Sequence, residues 1–257
     1  MSAHPNLVAL FTITRREVVR ILRIWAQTLV PPAITMTLYF LIFGSLIGRR
    51  IGDMGGYDYM DFIVPGLVMM SIIQNSYGNI SSSFFGAKFG RHIEELLVSP
   101  MPNWVILGGY VAGAVLRGLM VGVIVLGIAM CFTRVRVPHP WVMFSTVLLG
   151  ATIFSLAGFV NAVYAKKFDD VTIVPTFILT PLTYLGGVFY SVTLLPPWAQ
   201  AATHANPIFY MVNAFRYGLL GAADVPLAIA YALMLGFTIG LGALALWLLK
   251  RGTGLRS

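Results

Sequence analysis

The chain has 257 residues, of which 58% are hydrophobic and only 10% charged, and its mean hydropathy is +0.84. Globular domains carry about 25% charged residues, so this composition excludes a soluble enzyme and a disordered protein. The single cysteine, Cys131, excludes a secreted scaffold held together by intrachain disulfides. We therefore predict an all-α integral membrane protein with room for about six spans.

The net charge is +8, which in a soluble domain would point to nucleic acid. In a membrane protein the position of the basic residues matters more than their sum, because cytoplasmic loops accumulate lysine and arginine. We expect no nucleic-acid partner and use the basic residues to orient the chain.

Uncharged windows define the predicted spans, since about 20 helical residues cross the hydrocarbon core. Five windows are one span each, and Arg117 interrupts the third. The window 171–215 could hold two spans, or one span and a re-entrant element. The windows are 24–48, 62–87, 96–133, 137–165, 171–215 and 225–249.

The basic residues decide between these two topologies. Six spans place eleven lysines and arginines on one side of the membrane and five on the other, whereas seven spans give eight on each side. We therefore predict six spans, both termini in the cytoplasm, and a re-entrant extracytoplasmic helical element after the fifth span. The predicted transmembrane domain is 24–249, the tail is 250–257, and the spans run over about 24–48, 62–83, 103–132, 140–165, 171–190 and 226–249.

Residues 1–23 differ from the rest of the chain. An apolar stripe that includes Leu7, Phe11 and Ile21 recurs at helical spacing, while Arg16 and Arg20 fall on another face. This pattern predicts a cytoplasmic amphipathic helix that lies in the headgroup plane. A simple positive-inside anchor for the first span explains the same residues equally well.

Several kinds of chemistry are missing from the sequence. It contains no G-x-x-x-x-G-K-[S/T] phosphate loop, no G-x-S-x-G elbow and no H-E-x-x-H pair. Nearly all acids lie in predicted loops or at span ends, which argues against a proton relay. We predict that the chain is not an enzyme and holds no cofactor of its own. The competing interpretations are a secondary transporter or channel that needs no ATPase, and a membrane-embedded enzyme or assembly factor.

The predicted loop 84–100, between the second and third spans, carries the strongest local pattern. Lys88, Arg91 and Glu94 are three residues apart, which places them on one face of a helix. The apolar side chains on another face are Phe85, Phe89, Ile93 and Leu96. Such a helix could dock into a groove on a partner, or it could rest on lipid.

Three segments carry a family resemblance: 93–100 (IEELLVSP), 181–190 (PLTYLGGVFY) followed by Leu195-Pro196-Pro197, and 206–210 (NPIFY) followed by 215–218 (FRYG). In this order and spacing they resemble the ABC-2 type permeases, and the similarity covers about residues 7–252. Members of that family have the fold called type V exporter.

This resemblance implies a membrane subunit of an exporter in the bacterial inner membrane. It would pair with a second permease copy, most simply as a homodimer, and bind two copies of a separate ATPase that holds ATP and Mg. The loop 84–100 would contain the coupling helix. The residues implied at the ATPase contact are Phe89, Arg91, Glu94, Glu95 and Leu96.

Two polar stripes are candidates for the translocation path. The second span offers Ser71, Asn75, Gly78 and Ser82, and the fifth offers Thr176, Thr180, Tyr184 and Gly187. The resemblance implies that these spans flank a central cavity, whereas packing through small and hydroxyl residues explains such stripes equally well. Because the candidate path is apolar and aromatic rather than charged, we expect an amphipathic substrate, which could be lipid-linked, a glycan or drug-like.

Arg117 lies 14 residues into the third predicted span, about 21 Å along the helix. An arginine at that depth costs at least about 2.5–3.5 kcal/mol to insert and needs protein or water around it. Gln74, Asn75, main-chain carbonyls or water are its expected partners. Arg117 either has a structural role in holding the helices together or contacts the substrate or its pathway.

Overall fold

The computed structural model describes residues 3–252 and 254, and most of them are helical. The first half of the chain contains α1 (Ala3–Arg23), α2 (Trp25–Tyr39), α3 (Gly48–Ile51), α4 (Tyr59–Phe89), α5 (His92–Val98) and α6 (Asn103–Ala129). The second half contains α7 (Pro140–Tyr164), α8 (Phe168–Val174), α9 (Thr180–Tyr184), α10 (Pro197–His204), α11 (Pro207–Leu220) and α12 (Leu227–Arg251). A π-helical segment, Phe40–Ile47, joins α2 to α3, and another, Pro175–Leu179, joins α8 to α9.

One small hairpin interrupts the helices, and the all-α prediction missed it. Strands β1 (Asp53–Met54) and β2 (Tyr57–Asp58) pair antiparallel. Gly55 and Gly56 connect them with φ values of 61° and 82°, which glycine adopts without steric cost. The Gly-Gly dipeptide was the available sequence signal.

Four helical stretches in the described chain are long and apolar enough to cross a membrane: Trp25–Gly44, Asn103–Ala129, Pro140–Tyr164 and Leu227–Arg251. Helix α4 is longer, with 31 residues, or about 46 Å, but it is more polar. The helical run from α8 to α9 changes to π geometry at Pro175, and both proline and such π segments are usual causes of a bend in a helix.

Helix α4 forms the centre of the bundle and is buried along most of its length by α6, α7 and α11. Glycines allow the closest approaches. A Cβ built on Gly158 of α7 would lie 2.6 Å from the carbonyl oxygen of Tyr77, and one on Gly66 would lie 2.7 Å from that of Val188. Such contacts matter in lipid, where packing rather than exclusion of water holds helices together.

The sequence contains three Gly-x-x-x-Gly pairs, 109/113, 118/122 and 236/240, and this spacing predicts close helix contact. Helix α1 packs against the first half of α6 through Gly109 and Gly113. A Cβ on Gly109 would lie 2.5 Å from Cγ2 of Ile13, and one on Gly113 would lie 2.4 Å from Cβ of Glu17. The prediction of a close helix contact at this pair is confirmed. Gly118 and Gly122 likewise meet α4.

The same prediction fails for Gly236 and Gly240 of α12. Among the described residues, no atom lies within 4 Å of a Cβ built on either glycine.

The face of α1 that packs on the bundle differs from the predicted apolar stripe. Ile13, Glu17 and Ile21 are buried, whereas Leu7 and Phe11 are 59% and 68% exposed. The helix thus has one face for α6 and a second apolar face that no other part of the described chain covers. An amphipathic pattern could not reveal the face that packs on α6, because the charged Glu17 lies at the centre of that face.

We expect Gly113→Ala to weaken the contact between α1 and α6, because the added methyl group would overlap Glu17. Gly127→Ala on the same helix is the matched control, since a Cβ there meets nothing within 4 Å. Alanine is intrinsically the better helix former by about 1 kcal/mol, so Gly127→Ala should hold or raise the melting temperature in detergent. Gly113→Ala should lower it, and equal melting temperatures for the two variants would contradict the close contact.

Candidate functional site

The short helix α5 lies beyond the end of α4 and leaves both of its acids exposed. Ile93 is completely buried and Leu96 packs beside the same apolar cluster, so one face of α5 is anchored. Glu94 and Glu95 point away from that face. An anchored helix with two exposed carboxylates has the character of a recognition surface.

The loop 84–100 is not one continuous helix, which corrects the predicted pattern. Helix α4 ends at Phe89, and Arg91 adopts a left-handed conformation with φ of 60°, the only positive φ outside glycine among the described residues. Lys88, Arg91 and Glu94 therefore do not share a helix face. Three-residue spacing alone could not reveal the break, although Gly90 just before Arg91 was a signal for it.

Lys88 ties the end of α4 to the end of α7. Its Nζ donates to the carbonyl oxygens of Val163 and Ala165, each at 2.7 Å. These are the carbonyls that a helix end leaves unpaired. Partial burial lowers the pKa of Lys88.

An aromatic cluster joins the two connections at this end of the bundle. Phe89 is 64% exposed, and its ring lies 5.0 Å from that of Phe168 at the start of α8. The ring of Phe85 contacts the rings of both Phe89 and Phe168. Phe89 is thus beside α8 and not on the apolar face of α5, where the periodicity had placed it.

Only part of the predicted polar stripe on α4 is accessible. Ser71 is buried and donates to the carbonyl oxygen of Leu67, so it does not lie on an open face. Asn75 is partly buried, Ser82 is exposed, and a Cβ on Gly78 would meet nothing within 4 Å. The open part of the stripe is therefore Asn75, Gly78 and Ser82.

The stripe of the fifth predicted span is open except at its end. Thr176 is exposed, and Thr180 donates to the carbonyl oxygen of Pro175. The hydroxyl of Tyr184 lies 2.9 Å from that of Tyr39, in a cluster of rings that includes Phe43 and Phe189. The cluster connects the first and fifth predicted spans.

Arg117 contacts two asparagines of α4. Its guanidinium donates to Oδ1 of Asn75 at 3.3 Å and to Oδ1 of Asn79 at 3.5 Å. Asn75 was among the predicted partners, and Asn79 was not. The same Asn79 oxygen accepts a bond of 2.9 Å from Arg20 of α1.

Glu17 completes this polar cluster, and the sequence reasoning missed it. Its side chain is only 2% exposed, and its carboxylate accepts from Arg20 at 2.9 Å and from Ser83 at 2.7 Å. Arg16, on the same helix, donates to the hydroxyl of Tyr110 at 2.6 Å. Arg20 thus reaches into the bundle, whereas the side chain of Arg16 contacts Tyr110 and stays 49% exposed.

Arg216 of α11 is a second buried cation without a predicted role. Its side chain is 4% exposed, and its guanidinium lies 3.9 Å above the ring of Phe62. It donates to the carbonyl oxygen of Gly187 at 2.6 Å and lies 3.8 Å from the carboxylate of Asp224. Gly187, expected on the polar stripe, instead forms a turn with φ of 70° that Arg216 holds in place.

Comparison with known proteins identifies the family. A model of the ABC-2 type transporter family matches residues 8–220. The chain is also 58% identical over 255 residues to the inner membrane transport permease YadH of Escherichia coli (strain K12), with 99% of both chains covered.

The chain belongs to the ABC-2 type transporter family. The family predicted from the three sequence segments is therefore confirmed. More distant relatives of this ABC-2 protein include Nodulation protein J of Neorhizobium galegae, 26% identical over 216 residues, with 82% of this chain and 77% of that protein covered. Nodulation protein J of Sinorhizobium fredii (strain NBRC 101917 / NGR234) is 26% identical over 219 residues, with 84% and 82% covered.

Asp170 and Asp169 provide a matched pair for testing the connection before α8. Asp170 accepts from the backbone amides of Lys166 at 2.8 Å and Lys167 at 3.0 Å, and these bonds hold its pKa below the usual range. At neutral pH we expect Asp170→Ala to speed hydrogen exchange at both amides, and Asp169→Ala to leave it unchanged.

The sign of the pH dependence follows from the lowered pKa. The stabilising bonds are fully present above the unfolded pKa of about 3.9 and are lost as the pH falls through the lower folded value. The difference between wild type and Asp170→Ala should therefore vanish in acid. A difference that persists well below that range would contradict the carboxylate as acceptor.

Arg216→Lys tests how much the Arg216 contacts stabilise α11, because this substitution keeps the charge and removes the planar group that stacks on Phe62. We expect the free energy of unfolding to fall by about 1.5–3 kcal/mol, the range for a hydrogen bond to a charged group. A lowered melting temperature would register it. Arg136→Lys, at an exposed arginine, is the control and should melt like the wild type.

Proposed function

We propose that this ABC-2 protein is the membrane permease subunit of an ATP-driven exporter whose ATPase is a separate chain. The observation that carries the proposal is α5, which is anchored by Ile93 and presents Glu94 and Glu95 outward. The sequence contains no phosphate loop, so ATP and Mg belong on the partner.

The proposed topology has six spans, both termini in the cytoplasm and a location in the inner membrane. Helix α4 and the helical run from α8 to α9 join the four apolar stretches as the second and fifth spans. Gly254 approaches Val163 closely, so the end of the chain and the connection after α7 lie at one end of the bundle. Arg16, Arg20 and Lys88 belong to this same basic end, as the positive-inside rule requires of the cytoplasmic side.

Helices α10 and α11 are the proposed re-entrant element. They follow the fifth span, and α11 packs against α4 and α7. The hydroxyl of Tyr57 in the hairpin donates to the carbonyl oxygen of Leu220 at 2.9 Å, which supports a position for both at the extracytoplasmic end. In this arrangement the contacts of Arg216 with Phe62 and Gly187 would hold the re-entrant element over the fifth span.

The proposed coupling site consists of Phe89, Arg91, Glu94, Glu95 and Leu96. Exposed Glu94 and Glu95 suit a basic groove on the ATPase, and Leu96 holds the helix against the bundle. The left-handed Arg91 sets the angle between α5 and α4. ATP-driven approach of two ATPase copies would then shift α5, and the bundle with it, between two states of different substrate affinity.

The proposed path lies between two permease copies. Asn75, Ser82, Thr176 and Thr180 lie on faces that are open or only partly covered, whereas the buried Ser71 supports the path without lining it. Tyr184 and its ring cluster would close the outer end. These groups suit an amphipathic substrate.

The alternative of an ATPase-independent transporter draws on the buried Glu17. Carboxylates within membrane domains are often parts of ion pathways. Glu17, however, is held by Arg20 and Ser83, which favours a structural role in joining α1 to α4.

The test is a double charge reversal on α5. Tagged chain is purified from its native membrane in mild detergent, the ATPase that accompanies it is identified by its phosphate loop, and the pair is reconstituted in vesicles. We expect Glu94→Lys with Glu95→Lys to insert normally and to lose ATPase binding by about tenfold or more, because the exposed carboxylates would become cations. Asp53→Lys, an exposed acid at the opposite end, should bind as wild type.

Two outcomes would contradict the proposal. The double variant could retain full ATPase binding and turnover, which would remove α5 from the contact. Alternatively, the chain could purify without any ATPase in native lipid with nucleotide present, while an ion gradient alone drives transport. That result would favour the ATPase-independent transporter.

A further inference from the structure

The polar cluster of α1, α4 and α6 has more positive charge than it neutralises. The half-exposed Arg16 and the partly buried Arg20 and Arg117 contribute three cations, and Glu17 is the only carboxylate with which any of them pairs in the described chain. Arg117 has only neutral amide oxygens, at 3.3 and 3.5 Å. Buried cations are normally paired with anions.

The two central arginines are held close to one another. Arg20 and Arg117 donate to the same oxygen, Oδ1 of Asn79. Like charges that share one neutral acceptor repel each other, and in a bundle surrounded by lipid this repulsion is poorly screened. An anion between or beside them would remove that cost.

The cluster also has an excess of donors. The Nε atoms of Arg20 and Arg117 are buried and lack an acceptor among the described residues. The Nδ2 atom of Asn79 is also buried and also lacks an acceptor there. The Asn79 amide cannot rotate to correct this, because its oxygen already accepts from both arginines. Buried polar groups in native proteins nearly always have partners.

An access route adjoins these donors. Gly78 lies next to Asn79 on α4, and a Cβ there would meet nothing within 4 Å. The side chain of Arg20 is 33% exposed. Asn79 is four residues, about 6 Å, inside the predicted end of the second span at residue 83. Long arginine side chains can cover that distance and reach toward the headgroup layer of the leaflet at this end.

We propose that Arg20, Arg117 and Asn79 form a binding site for the phosphate group of a phospholipid that enters beside Gly78. A phosphodiester carries negative charge and several acceptor oxygens, which match two unpaired guanidinium Nε donors and one amide donor. The site requires only this chain in a membrane. Its failure would therefore leave ATPase coupling untouched, and the reverse also holds.

The experiment uses the full chain purified in a neutral detergent, with thermal melting and native mass spectrometry as readouts. The probes are phosphatidylglycerol, a diacylglycerol with the same acyl chains, and inorganic phosphate. We expect phosphatidylglycerol to raise the melting temperature and to remain bound in the spectrometer, and diacylglycerol to do neither. Protection by inorganic phosphate alone would instead assign the site to a soluble phosphate, because the acyl chains would be unnecessary.

Two variants and a control decide the assignment. Arg117→Gln should weaken phosphatidylglycerol binding by about tenfold or more, whereas Arg134→Gln, at an exposed arginine, removes the same charge and should bind as wild type. Equal protection of wild type and Arg117→Gln, or equal protection by diacylglycerol, would overturn the proposal.

A second variant covers the case in which Arg117→Gln does not fold. Asn79→Asp supplies the missing negative charge within the protein, so it should fold without lipid and lose the protection by phosphatidylglycerol. Full protection of Asn79→Asp would overturn the site.

Discussion

A cation buried in this bundle needs polar partners, because the hydrocarbon of the bilayer offers none. Arg216 meets this requirement with a carbonyl oxygen, an aromatic face and a carboxylate. Arg20 meets it with Glu17 and Asn79. The first arrangement fixes α11 against the turn at Gly187, and the second fixes α1 against α4, so two connections that sequence alone would leave loose are bound to the core.

Glycine makes these arrangements possible. Gly113 lets α1 lie against α6, which brings Glu17 into the interior, and Gly66 lets the turn after α9 lie close against α4. Charge pairing and close backbone approach therefore depend on one another. A larger residue at either glycine would move a helix and separate the polar groups at the same time.

The sequence predicted the long helices well because charge-free windows and basic flanks are direct consequences of the membrane. It predicted the close contact of Gly109 and Gly113 for a similar reason, since small residues four apart have one main use in such helices. Glu17 was missed because a lone acid in a basic, amphipathic segment resembles a solvated residue. The break at Arg91 had only Gly90 as a local signal, and the position of Gly187 depends on a backbone conformation that contacts between distant segments select.

The two hydrogen bonds of Lys88 have a mechanical consequence. They join the last turn of α4 to the carbonyl end of α7, and α7 is already pressed against α4 at Gly158. The two helices are thus held together both at their ends and along their lengths. A displacement of α5 would therefore move the ends of α4 and α7 together, as one stiff body.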